Sequence, residues 1–325
     1  MTTFVSADEE GLVRAEQTLR AGGLVAIPTE TVYGLAANAT DGAAVARIFE
    51  AKGRPRFNPL ICHVSDLDMA RRFGVFDPLS EKLTQAFWPG PLTLVVPLHA
   101  NSGIHPLATV GLSTVGLRAP KGFAHRLIAR LGTPLAAPSA NASGRISPTT
   151  AQAVRDSLGN AVDLVVDGGP CPVGVESTIL SVEGDKVRLL RPGGLSAAEI
   201  EAVTGVPLLR GSNASANAPE APGMLVSHYA PVAAVRLVAD RVFPGEALLA
   251  FGPQAPEGAE MARARINLSP TGDLREAAMR LFGSLAELDR SDAATIAVQP
   301  IPQTGLGEAI NDRLRRAAAP RGAEQ

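Results

Sequence analysis

Eight short apolar runs punctuate the first 192 residues: LVAIP (24–28), PLICHV (59–64), PLTLVVP (91–97), TVGLRAP (114–120), PLAAPSA (134–140), DLVVD (163–167), STILSV (177–182) and KVRLLRP (186–192). Each has strand length, and proline bounds most of them. Some follow one another with no helical stretch between, whereas parallel neighbours need a crossover of a dozen or more residues. The runs therefore predict an α/β fold with a mixed sheet rather than a purely parallel one.

Helical signals flank the runs. Residues 8–21 carry Leu12, Val13 and Leu19 at helical spacing and stop at Gly22-Gly23. Asp41 opens a second amphipathic stretch, with Ala44, Val45, Ile48 and Phe49 on one face, that ends at Gly53. Ser147-Pro148 reads as a helix start with proline at the first position. Ser196 and Glu199 form a capping box ahead of Ile200.

A chain of 325 residues exceeds one ordinary core, which argues for two domains. The composition changes at PLLRGSNASANAPEAPG (207–223), which has too few large apolar side chains to pack. We expect a first domain over 1–206, an extended linker over 207–231 and a smaller, Rossmann-like α/β domain over 232–325. In the last, strands are expected near 233–238, 246–251 and 294–298, and helices near 273–289 and 306–318.

The formal net charge of −2 argues against a surface built throughout for nucleic acid, but permits a local basic pocket. Two cysteines, Cys62 and Cys171, make neither a ligand cluster nor a disulfide framework. The first residues lack a basic segment followed by an apolar one, and no run has membrane-spanning length. Together these predict a cytoplasmic protein with no membrane partner.

Four stretches could carry chemistry. AKGRPRFNPLICHV (51–64) crowds Lys52, Arg54 and Arg56 beside two prolines, just before an apolar strand. One reading is a helix cap on a solvated turn, since cations suit a helix C-terminus. The other is a fixed cationic wall, with Asn58 and His63 as uncharged partners. PSANASGRISPT (138–149) offers Ser139, Asn141, Ser143 and Ser147 around the expected helix start, either a capped loop or an anion site.

PTETVYG (28–34) follows a strand with the hydroxyls of Thr29, Thr31 and Tyr33 and the carboxylate of Glu30, or is simply a polar turn. GVESTI (174–179) sets Glu176 with Ser177 and Thr178 at a strand entry. Glu176 reads either as a metal ligand or as a strand-edge charge. Arg118 and Arg191 each close an apolar strand just ahead of a proline, and must find solvent or an anion. His99, His105 and His125 lack ligand spacing, and Trp88 reads as core. No Ser-His-Asp set or metal cluster is apparent, so any catalysis would rest on positioning and charge stabilisation.

Taken in order, PTETVYG, KGRPRFNPLICHV, WPGPLTLV, STVGLRAP, PSANASGRISPT, GVESTI and LLRPG resemble the motif set of the threonylcarbamoyl-AMP synthases, the YrdC-like family. The match runs over about residues 10–205. PGMLVSHYAP and PQTGLGEAINDRLRRAA further resemble the longer, two-domain form of that family. The resemblance implies a YrdC-like twisted mixed sheet with flanking helices. It also implies an enzyme that converts L-threonine, bicarbonate and ATP, with Mg²⁺, to threonylcarbamoyl-AMP and pyrophosphate. Separate proteins would carry that product to an adenosine of tRNA, and contact with tRNA or those proteins stays open.

Carried over onto this sequence, the resemblance makes Lys52 and Arg54 the catalytic cations. ATP would be held by Arg54, Asn58, Thr114, Ser139, Asn141, Ser147, Arg191 and Tyr229, the last reaching back from the linker as a lid. L-Threonine would be held by Thr31, His63, Arg118 and Ser177; metal ligands are left unassigned. Between PGM and HYAP the chain has Leu225-Val226-Ser227, where the family carries basic or aromatic residues. Two alternatives remain: a YrdC-like module that binds RNA without chemistry, and carbamoyl-adenylate chemistry with another acceptor.

Overall fold

The computed structural model describes residues 2–55, 57–210 and 227–320. Arg56 and most of the expected linker lie outside the described residues.

The first half of the chain runs β1 (Thr3–Ser6), α1 (Glu9–Arg20), β2 (Val25–Ile27), β3 (Gly34–Asn38), α2 (Gly42–Lys52), β4 (Ile61–His63), α3 (Leu67–Ala70), α4 (Pro78–Phe87) and β5 (Leu92–Pro97). It continues with α5 (Pro106–Thr109), β6 (Thr114–Arg118), α6 (Phe123–Leu131), β7 (Leu135–Ala136), α7 (Ala151–Leu158), β8 (Leu164–Asp167), β9 (Thr178–Glu183), β10 (Lys186–Arg191), α8 (Ala197–Thr204) and β11 (Leu209–Arg210). These strands form one 11-stranded sheet in the order β1-β8-β2-β3-β7-β4-β6-β5-β9-β10-β11. Pairing is parallel for β1–β8, β4–β6 and β5–β9 and antiparallel for β2–β3, β5–β6 and β9–β10, so the sheet is mixed as expected.

Local sequence explains several boundaries. Asp41 caps α2 by accepting from the amides of Ala43 and Ala44, and Gly53 ends it in the left-handed region. The Ser196–Glu199 capping box is present at α8. The expected helix start at Ser147-Pro148 is corrected: α7 begins at Ala151, and Thr150 is its cap. The Pro148 carbonyl instead accepts from the Tyr33 amide, and the Ser147 hydroxyl turns toward Glu176, so neither residue is free to open a helix.

The remaining elements are β12 (Ala234–Arg236), β13 (Ala247–Ala250), β14 (Arg265–Asn267), α9 (Leu274–Asp289), β15 (Thr295–Val298) and α10 (Leu306–Ala318). They build a second, parallel four-stranded sheet in the order β12-β15-β13-β14. Its apolar core runs on into the first unit, because Val32, Val175 and Tyr229 pack in one cluster with Ala278, Leu281 and Phe282. Gly174 makes that approach possible. Its φ is +79°, and a Cβ there would lie 2.3 Å from Met279 Cα and 2.4 Å from the Ala278 carbonyl oxygen.

Candidate active site

Parallel pairing of β4 with β6 sets His63 beside Arg118 at the carboxyl ends of both strands. Around that end lie the turn after β7, the entry to β9 and the exit of β10. A cavity of about 50 Å³ sits there, walled by Arg54, His63, Arg118, Ser139, Glu176, Ser177, Arg191, His228 and Tyr229, with Val32, Ile61, Ala137 and Pro138 as its apolar part. Seven residues proposed from sequence thus meet at one place, from six separate stretches of chain.

Lys52 and Arg54 are buried, which excludes the solvated-turn reading for these two cations. Lys52 is 3% exposed, Arg54 8%, and Arg118 and Arg191 4% each. Lys52 Nζ donates to the carbonyl oxygens of Ser139, at 2.6 Å, and Asn141, which ties α2 to the 138–149 loop. Arg54 donates to the Asn58 and Pro59 carbonyls at 3.2 and 2.8 Å. Arg191 donates to the Ser177 carbonyl at 2.9 Å and to its hydroxyl at 3.2 Å. Burial, with Arg54 adjacent, holds the Lys52 pKa well below the lysine range, and burial lowers Arg54 to about 10.

Arg118 is held differently. Its Nη2 donates to Thr31 Oγ1 at 2.9 Å and lies 2.8 Å from Glu30 Oε1, while Nε donates to the Gly90 carbonyl. Thr31 therefore serves behind Arg118 rather than in the cavity wall. His63 is neutral: burial, then Arg118, holds its pKa well below 6.5. Burial raises both thiols, Cys62 and Cys171, to about 12, so neither is a thiolate at neutral pH.

The other expected residues divide. Asn58 and Asn141 are buried beside the cations, and Asn58 Oδ1, Asn58 Nδ2 and Asn141 Oδ1 have no hydrogen-bond partner among the described residues. Ser147 stands behind the wall and donates to Glu176 Oε1 at 2.5 Å. Thr114 is not brought to the cavity, because it begins β6 and Arg118 ends it, about 13 Å away at strand spacing.

Two partners were missed in the sequence. Glu30, in PTETVYG, pairs with Arg118 and accepts from the Lys121 amide. Arg313, on α10, is fully buried and donates from Nε to Glu176 Oε2 at 2.7 Å and from Nη1 to the Pro192 carbonyl at 2.8 Å. Burial would raise the Glu176 carboxyl, but Arg313, Arg191 and Ser147 hold it down to about 2. Arg313 also lies over the Tyr229 ring, 5.2 Å from its centroid. The signals that could have found it were its place in the stretch PQTGLGEAINDRLRRAA and in the helix expected near 306–318, neither of which points to a partner.

His228 and Tyr229 close the cavity. Tyr229 has a φ of +62°, stacks on Phe282 at 5.6 Å, and is followed by Ala230, whose amide donates to the Gly144 carbonyl. Sites for drug-sized ligands run to roughly 300 Å³ or more, so a nucleotide enters only if part of this wall moves. Among the described residues no group of three or more His, Cys, Asp or Glu is placed to hold a metal ion.

The Sua5/YciO/YrdC family model, described as "Telomere recombination", matches residues 17–193. A second model, described as the C-terminal domain of threonylcarbamoyl-AMP synthase, matches residues 195–319. The chain belongs to the Sua5/YrdC family, in its two-domain form. It is 38% identical over 337 residues to the threonylcarbamoyl-AMP synthase of Bacillus subtilis, covering 99% of this chain and 96% of that one. It is 40% identical over 327 residues to the Pyrococcus abyssi protein of the same name, covering 95% of each. Its fold matches the crystal structure of P. abyssi Sua5 complexed with L-threonine at a TM-score of 0.85, with 36% identity over 98% of this chain and 97% of that one. The expected YrdC-like sheet and second α/β unit are both borne out.

Proposed function

We propose that the protein is an L-threonylcarbamoyladenylate synthase, forming threonylcarbamoyl-AMP and pyrophosphate from L-threonine, bicarbonate and ATP. The carrying observation is one cavity in which Arg54 and Arg191 face a neutral His63 and an anchored Arg118, with Lys52 buried behind its Ser139 wall. The names of the near-full-length relatives and the threonine complex of the P. abyssi protein support the same reading.

In this reading Arg118 takes the threonine carboxylate, and His63 and Ser177 bond its amine and hydroxyl. Bicarbonate takes up a proton and loses water to give carbon dioxide, which the neutral amine captures as a carbamate, releasing a proton. A carbamate oxygen then attacks the α-phosphorus of ATP, and the bond from that phosphorus to the bridging oxygen breaks. Lys52, Arg54, Ser139 and Arg191 stabilise charge on the phosphates and on the departing pyrophosphate, and Asn58 and Asn141 complete the nucleotide contacts. Excluding water protects the carbamate and strengthens each of these interactions.

Glu176 is the carboxylate in the wall among the described residues, and Ser147 and Arg313 occupy its two oxygens. Mg²⁺ would be held mainly by the ATP phosphates, since both Glu176 oxygens already have partners. When bound it would neutralise phosphate charge.

The unit over 1–206 holds the chemistry, 207–231 is the linker whose His228-Tyr229 segment opens and recloses, and 232–325 buttresses that segment. Leu209–Arg210 pairs with β10 in the first sheet, so the linker begins at the edge of the catalytic unit. No described helix is long and apolar enough to cross a membrane, and with two free buried cysteines a cytoplasmic address is the natural one. The product would pass to separate proteins that modify tRNA.

The test is pyrophosphate release from ATP with L-threonine and bicarbonate omitted in turn. Release should require both, and release indifferent to either omission would overturn the proposal.

A further inference from the structure

The buried cations in and beside the cavity are not equivalent. Lys52 and Arg54 are held by backbone carbonyl oxygens, and among the described residues no carboxylate lies within ion-pair distance of either. Arg118 has a carboxylate of its own, Glu30, whose Oε1 lies 2.8 Å from Nη2 with both side chains buried. The second Glu30 oxygen accepts from the Lys121 amide at 2.9 Å, which fixes the carboxylate against the turn into α6. The Arg54 end of the cavity thus has no carboxylate paired to its cation among the described residues, while the Arg118 end is compensated.

That difference bears on a problem any such site must solve. A polyphosphate and a monocarboxylate enter the same small, low-dielectric space, and a bare buried arginine would hold either. Phosphate, with more charge, would win. A fixed carboxylate behind the arginine leaves its Nη1 donors available to one carboxylate, but opposes each further negative charge. Specificity of this kind needs a repulsive element as well as an attractive one.

We propose that Glu30, acting through Arg118 as a positioning residue, keeps phosphate groups out of the amino-acid end of the cavity and so reserves Arg118 for a single carboxylate. This rests on the reading of Arg118 as the threonine-carboxylate partner. Glu30 does not line the cavity and need not touch substrate.

The test is inhibition of pyrophosphate release by inorganic phosphate, with ATP and bicarbonate saturating and L-threonine varied. In the wild type, phosphate should leave the apparent KM for threonine unchanged. Glu30→Gln keeps the acceptor for the Lys121 amide and removes the charge. In it, phosphate should become competitive with threonine and raise that KM at least about tenfold. Glu30→Asp, which keeps the charge, should retain the wild-type pattern. A merely structural Glu30 would alter stability or both substrates' KM without changing the competition. Phosphate insensitivity in Glu30→Gln, or competition in the wild type, would overturn the proposal.

The wild type supplies a second arm that does not depend on the variant's folding. Calorimetric binding of phosphate should be unaltered by saturating L-threonine, and its displacement by threonine would overturn the proposal. Absence of threonine-dependent turnover in the wild type would instead overturn the reading on which it rests.

Discussion

Arg313 of α10 donates to Glu176 at 2.7 Å, and this contact joins the C-terminal unit to the wall of the cavity. The same guanidinium lies over the Tyr229 ring, so one buried cation supports both a wall residue and the segment that covers it. Arg313→Ala would leave the Glu176 carboxylate buried without its main counter-charge. The expected cost is about 3 kcal/mol of stability, with a lowered Tm and weakened turnover. Adding Glu176→Gln to that variant should recover part of the stability in a double-mutant cycle, and strictly additive effects would contradict the coupling.

Lys52→Ala should lower pyrophosphate release by about a hundredfold or more while circular dichroism stays native. The substitution also removes the tie from α2 to the Ser139 and Asn141 carbonyls. Near-normal turnover would return the 51–64 stretch to a structural role.

Acid should open the His228 segment. His228 faces Tyr229, Glu176, Arg54, Lys52 and Arg191; burial, then Arg54, Lys52 and Arg191 against the opposing pull of Glu176, lowers its pKa from 6.5 to about 3. The closed form therefore refuses a proton that the open form accepts between those values. Closure is at full strength above pH 6.5 and weakens as the pH falls below it. Hydrogen exchange at the Ala230 amide, corrected for intrinsic rates, should rise below pH 6.5 in the wild type and less in His228→Asn. His63 titrates in the same direction, so the difference between the two proteins isolates His228. Identical profiles would contradict the prediction.

Gly174→Ala should separate α9 from the first unit. It places a Cβ 2.3 Å from Met279 Cα at a positive φ, at a cost of roughly 2–5 kcal/mol. An unchanged melting temperature would show that the two units do not depend on this approach.

Much of the fold was legible because short-range rules agree with one another. Asp41 and Gly53 delimit α2, Ser196 and Glu199 start α8, and proline-bounded apolar runs became strands. Ser147-Pro148 misled because a tertiary bond from the Tyr33 amide to the Pro148 carbonyl outweighs a local preference, and Thr150 is an equally good cap three residues on. Strand β14, of sequence RIN, offers one apolar residue between two polar ones, too little for a strand signal. At the site, the motifs located Arg54, His63, Arg118 and Arg191. Glu30 and Arg313 matter through partners 88 and 137 positions away, which no local pattern encodes.

The most direct measurement is mass spectrometry of the adenylate formed from ATP, L-threonine and carbon-labelled bicarbonate. One adenylate should appear that contains threonine, gains a single mass unit from the label and is absent from Lys52→Ala. Formation of AMP or ADP alone, or an adenylate that carries no label, would contradict the proposed chemistry.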